Sequence, residues 1–264
     1  MLGKLVKHEW KAITKPLAIM HIALILMAII GKVLLNIEVL KKADYVWGAL
    51  LMLYILAVIT LEIGTQIYLA VRFYKNMYTD EGYLSFTLPV KSWEHILSKT
   101  FISAVWTLID IAVVILSILI LVMYKGMGTE FIEGFLGVLT ELSEAGISVV
   151  WFMIRLIING VLYLIALPLT YYFSISIGQL FNSHKMLASV ITYFITINVI
   201  QVIGTVVSTI MMVNTTYADD VITDSGMKGF YNGILDMGMI GNLITCVGFW
   251  LVVNYIMNKR LNLE

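Results

Sequence analysis

The stretch TFISAVWTLIDIAVVILSILILVMY, residues 100–124, holds a single charged side chain, Asp110. A helix of this length reaches roughly 37 Å at ~1.5 Å per residue, enough to cross a hydrocarbon layer of ~30 Å. A helix is also the form that satisfies its own backbone groups where no water is present. Working outward from this segment, five more stretches read the same way: 17–35, 46–71, 148–174, 187–213 and 238–257. The first is the shortest and carries His21 and Lys32. Composition agrees, with 60% hydrophobic and 13% charged residues and a mean hydropathy of +0.94. An ordinary soluble domain is about 45–50% apolar and about 25% charged, so a water-soluble surface is excluded. The expectation is an all-α polytopic membrane protein with six transmembrane helices, forming one membrane domain over 1–264.

The formal net charge is zero, so no overall field favours nucleic acid, and the lipid bilayer is the partner that composition implies. The single cysteine, Cys246, rules out an intrachain disulfide framework and a multi-cysteine metal site. Lys and Arg distribution sets the expected orientation, because basic connecting segments stay in the cytoplasm. With both termini inside, Lys4, Lys7, Lys11, Lys15, Arg72, Lys75, Lys91, Lys99, Lys185, Lys259 and Arg260 are cytoplasmic, and Lys32, Lys41, Lys42, Lys125 and Lys228 are outside. Acidic residues, including Glu130, Glu133, Glu141, Glu144, Asp219, Asp220, Asp224 and Asp236, gather in two long outer segments, 125–147 and 214–237. Tyr45, Trp47, Tyr124, Trp151, Tyr171, Tyr172 and Tyr255 stand near span ends, where aromatic rings anchor at the interface. The basic start is too long for a signal peptide, and the first span is expected to be retained.

Residues 1–16 place Leu2, Leu5, Val6, Trp10 and Ile13 on one helical face, away from the four lysines. They read as an amphipathic interfacial helix, or as a segment whose lysines only set topology, with Pro16 at the start of the first span. Pro168 is expected to kink the fourth span near its inner end. The connection 72–99, RFYKNMYTDEGYLSFTLPVKSWEHILSK, is far longer than the ~2–8 residues usual in helix bundles. A short helix over 80–86 and a second beginning near Ser92, which is placed to cap it, are expected around Pro89. This segment reads as a docking surface or as a cover for the inner ends of its own spans.

The run TLPVKSWEHILSK, residues 87–99, resembles the segment of type-two ATP-binding-cassette (ABC) exporter permeases in which Leu-Pro-Val/Ile-Ser-Arg precedes a short helix ending in Gly-Lys. The upstream EGYLSFTLP is similar to versions from Gram-positive bacteria, while Lys91, Ser92 and Ser98 depart from the common pattern. The six-span layout, the amphipathic start and the longer outer segment before the last span resemble the same family over essentially the whole chain. The resemblance implies that 72–99 supplies a cytoplasmic coupling helix for a separate ATP-binding subunit, with Asp80, Glu81, Pro89, Lys91, Trp93 and Glu94 as coupling residues. It also implies a second permease in a homo- or heterodimer, a location in the plasma (inner) membrane, and ATP and Mg held by the partner. This chain has no G-x-x-x-x-G-K-[ST] phosphate loop, so no cofactor is expected on it and it is read as non-enzymatic.

Charges within the spans are the other signal. Glu62 and Asp110 lie at similar depth, roughly 14 and 16 Å from the inner ends of the second and third spans, and Arg155 sits about 10 Å from the outer surface. Each must face protein or water, because a charge at mid-membrane costs at least about 2.5 kcal/mol. They read as groups lining a pathway, or as a buried pair that fixes packing, with Arg155 snorkelling outward. Asn198, Gln201, Thr205 and Ser208 form a helical stripe on the fifth span, facing a route or a partner helix. No H-E-x-x-H, G-x-S-x-G or paired metal-ligand spacing suggests membrane-embedded catalysis. The expected function is a permease subunit coupling a partner's ATP hydrolysis to substrate export. An ion-coupled secondary transporter using Glu62 and Asp110, or a non-transporting membrane sensor or partner, is the alternative.

Overall fold

The computed structural model describes residues 2–35, 37, 44–87, 89–122, 127–218 and 224–259. Lys41, Lys42, Leu88, Tyr124, Lys125, Asp219, Asp220 and Arg260 lie outside the described residues. The described elements are helical: α1 (Leu2–Leu35), α2 (Asp44–Tyr78), α3 (Asp80–Thr87), α4 (Ser92–Val122), α5 (Met127–Glu144), α6 (Val149–Gly178), α7 (Lys185–Ala218) and α8 (Asp224–Lys259). Six of them, α1, α2, α4, α6, α7 and α8, are long and apolar enough to cross a membrane. No more than 22% of the apolar window of any of these is buried within the chain, so most of their surface is left for lipid or other subunits. The chain is an all-α, multi-pass membrane protein.

Each membrane helix is longer than its apolar stretch. Hydropathy marks only the part that lipid requires, whereas the backbone ladder continues into polar flanks. The largest difference is at the amino terminus, where 1–16 was expected as a separate interfacial helix. Residues 2–35 instead form one helix, with Pro16 inside it. Proline forfeits one backbone hydrogen bond, but the buried face runs on through Glu9, Ile13, Leu17, His21, Leu24 and Ala28. Those steps of three and four residues keep one stripe inward, and side-chain packing along it offsets the lost bond. Pro168 likewise lies within α6.

The chain divides into two compact units. The first, Met1–Arg72 with Leu97–Glu133, is built from α1, most of α2 and most of α4. Its interior joins Leu61, Thr65 and Leu69 of α2 to Ile102, Trp106 and Asp110 of α4 and to the α1 stripe. Trp10 stacks on Trp106 at 5.2 Å, and Tyr54 and Ser117 share a 2.7 Å hydrogen bond. At the end of α2, Glu9 accepts hydrogen bonds from Arg72 Nε at 2.8 Å and Lys99 Nζ at 2.9 Å, drawing three helices together with one carboxylate.

The second unit is Phe73–Ile96 with Gly134–Glu264. Here α6 packs against α7 and α8. Phe173 stacks on Phe249 at 4.3 Å and Phe73 on Tyr172 at 3.7 Å. Tyr78 shares a 2.7 Å hydrogen bond with Ser176, and Ser92 donates one to Asn258 at 2.8 Å. The residues placed in the two outer segments are largely helical: α5 fills most of the first, and Asp236 of the second lies within α8.

Candidate functional site

Asp80 and Glu81 occupy the first turn of α3, where carboxylates suit the positive end of the helix dipole. Glu81 also accepts a hydrogen bond from Asn76 Nδ2 at the end of α2. Gly82 is buried, whereas Tyr83 and Leu84 project outward, Leu84 being 73% exposed. Pro89 and Lys91 follow, both exposed. Ser92, expected as the cap of α4, is its first residue and turns its hydroxyl to Asn258. The start of α4 is closed instead by Glu94, which reaches back to accept the Lys91 backbone N–H at 3.0 Å, one half of a capping box. One step along, Trp93 is 39% exposed while His95 and Ile96 are buried. The six residues expected to couple thus fall on α3, on the start of α4 and on residues 89–91 before it, with Asp80, Glu81, Pro89, Lys91 and Trp93 exposed.

Within the first unit the intramembrane charges resolve differently. Asp110 is fully buried, and its direct partners are His21 of α1 and Thr65 of α2. Thr65 Oγ1 donates to Asp110 Oδ1 at 3.3 Å, and His21 Nε2 lies 2.6 Å from the same oxygen. That second contact is an ion-pair approach bent away from straight hydrogen-bond geometry. His21 Nδ1 is 2.6 Å from the Leu17 carbonyl, which can only accept, so Nδ1 carries a hydrogen. Two bare lone pairs would repel at 2.6 Å, so the approach calls for a proton on at least one of the two atoms.

The same cluster contains the Trp106 ring, 5.6 Å from His21, and Gln66, whose amide donates to Thr107 Oγ1 at 3.1 Å. Among the described residues, Asp110 Oδ2, Trp106 Nε1 and Gln66 Oε1 are buried there without a hydrogen-bond partner. Glu62 is half-buried and within electrostatic reach of both His21 and Asp110, but it forms no direct ion pair among the described residues. The arrangement can hold one proton between α1 and α4 and pass charge effects to Glu62.

Arg155 and the stripe on α7 belong to the second unit. Arg155 Nη1 donates to Asn232 Oδ1 at 2.7 Å, and its Nε is 3.5 Å from Asp236 Oδ1. Asn159, about one turn on, accepts from Asn242 Nδ2 at 2.7 Å and donates to the Leu235 carbonyl at 3.3 Å. These contacts make a polar seam between α6 and α8. On α7, Asn198, Gln201 and Thr205 are exposed and Ser208 is half-buried. Asn198 and Ser208 bond back to the carbonyls of Phe194 and Thr205 on their own helix. His21, Thr65, Gln66 and Trp106 were not singled out from sequence as site residues; the detectable signal was His21, which stands with Lys32 in the first apolar span. No family model, no curated protein and no solved structure matches this chain.

Proposed function

We propose that this chain is the permease subunit of an ABC exporter, placed in the plasma membrane with both termini cytoplasmic and paired with a second permease. ATP and Mg belong to a separate ATP-binding subunit. The observation that carries this reading is the segment between the second and third spans. The short helix α3 exposes Tyr83 and Leu84 beside Asp80 and Glu81, and Trp93 is displayed at the start of the next span. Its resemblance to the coupling segment of type-two exporter permeases, through TLPVKSWEHILSK, supports the same assignment. An apolar and aromatic tip with flanking charge suits a groove on a soluble partner: the rings anchor, and the charges orient. The exposed polar stripe on α7 suits the second permease or the route between the two.

Co-purification tests this directly. Trp93→Ala is expected to weaken association with the ATP-binding subunit by about 2 kcal/mol, roughly 30-fold, with the chain still inserted and folded. Lys228→Ala, on the carboxyl-terminal side of α7, is expected to change nothing. A Trp93→Ala chain that retains the ATPase and supports its stimulated hydrolysis like the parent refutes the docking role.

The contact between His21 and Asp110, with Glu62 near, favours a second reading in which this chain couples transport to protons. Substrate movement driven by a proton gradient in vesicles holding this chain alone would select that reading over the first.

A further inference from the structure

We propose that α5 is an interfacial helix lying along the membrane face opposite α3, its apolar side sunk into lipid and its glutamates in water. The proposal depends only on the chain being embedded in a bilayer, not on the exporter reading. At 100° per residue, Phe131, Ile132, Phe135, Val138, Leu139 and Leu142 fall within an arc of about 120°. Glu130, Glu133, Glu141 and Glu144 fall within about 80° on the opposite side, with Gly137 among them and Thr140 beside them. The two faces do not mix.

No described side chain of α5 is buried, and Phe131, Ile132, Phe135, Leu136 and Val138 are 51–60% exposed. A row of large apolar side chains left in water is the kind of patch that marks an interaction surface. Two features name the occupant. The first is tethering. Only residues 145–148 separate α5 from the membrane helix α6, a reach of no more than about 14 Å. That link is also a shaped corner: Gly146 has φ +69°, its N–H bonds to the Ser143 carbonyl at 3.0 Å, and the Ile147 N–H bonds to Leu142 at 2.9 Å. This is a Schellman closure, and Ile147 is buried beside it. The carboxyl end of α5 is therefore held where the adjoining helix meets the interface, so its apolar row continues the lipid-facing surface.

The second feature is size. An 18-residue helix presents one face of roughly 27 by 10 Å, so two copies meeting through α5 alone would bury on the order of 540 Å², well below the ~1,200 Å² of a stable interface. Four glutamates also make the helix a poor spanning segment. Because the polar face is acidic, docking rests on apolar burial and needs no anionic lipid.

Spin labelling of the full chain decides the matter. In a Cys246→Ser background, single cysteines at Phe131, Phe135, Val138 and Leu142, and at Glu133, Gly137, Thr140 and Glu144, are labelled and placed in nanodiscs of phosphatidylcholine only. The first set is expected to collide with oxygen and be shielded from a water-soluble nickel chelate, at a common depth of about 5–10 Å. The second set is expected to show the reverse, and a label at Ile157 on α6 marks full lipid exposure. Nickel access at every α5 position would place the helix in water and overturn the proposal. Immobile labels shielded from both reagents at the apolar positions would mean a protein covers that face, a second copy included, and would overturn it equally.

Discussion

Asp110 is fully buried, and its direct polar contacts are with His21 and Thr65. Removing one member of a buried pair leaves the other uncompensated, which typically costs about 3–5 kcal/mol, whereas replacing both with apolar groups is far milder. Asp110→Leu and His21→Leu are therefore each expected to lower stability by about 3 kcal/mol, and the double variant by less than their sum, with a coupling of at least ~1 kcal/mol. Unfolding of the purified chain in detergent, followed by circular dichroism, measures the cycle; strictly additive losses would show that the pair does not interact. Asp110 and Glu62 were legible as candidates because a charge inside an apolar run is visible along one dimension. Their partners were not. Sequence set the two acids at similar depth and left a pathway or a buried pair open, but which faces of α1, α2 and α4 turn together is decided in three dimensions, and His21 and Thr65 rather than Glu62 contact Asp110. Arg155 shows the same limit, since its nearness to the outer surface could be counted but Asn232 and Asp236 as its partners could not.

Helices were legible where lipid imposes a length and less so where packing decides the ends. The apolar core of all six spans fell inside the observed helices, yet α1 extends to Leu2 because a buried stripe with three- and four-residue steps crosses Pro16 unbroken. The corner between α6 and α7 is a case that hydropathy misses altogether. Gly178 ends α6, and a Cβ there would meet the rotatable hydroxyl of Ser189 on α7 and, behind it, lie 2.6 Å from that residue's backbone nitrogen and 2.7 Å from its Cα. The last two are backbone atoms, which cannot rotate aside as a side chain can. Gly178→Ala is expected to cost about 1–3 kcal/mol, the range for overpacking a close contact, visible as a lowered melting temperature in detergent. Adding Ser189→Gly should restore little, since the obstruction is main chain; full recovery in the double variant would place the conflict in the serine hydroxyl and refute this account.

At the scale of the whole chain, six crossings bind the termini and the connecting segments into one pattern of sides. The α4 helix separates Lys91 from α5, so Lys91 and Glu141 must face opposite compartments if α4 spans, and an even number of crossings returns the carboxyl end to the side of Lys4. Composition gave the number of spans, because lipid demands long apolar helices wherever the chain crosses. Direction rests on a weaker physical cause, the retention of basic segments in the cytoplasm, and eleven Lys and Arg on one side against five on the other favour Lys4 and Lys91 inside. The expected outcome is that, in a Cys246→Ser background, cysteines replacing Glu141 and Lys228 react with a membrane-impermeant maleimide in sealed cells, whereas those replacing Lys4, Lys91 and Lys259 react only after the membrane is opened. Lys91 carries the most weight, because it adjoins the proposed docking tip and a soluble ATP-binding subunit can reach it only from the cytoplasm. Labelling of position 91 in sealed cells, with position 141 protected, would reverse the orientation and remove the ABC assignment with it, while leaving the six-span fold and the lipid-facing role of α5 intact.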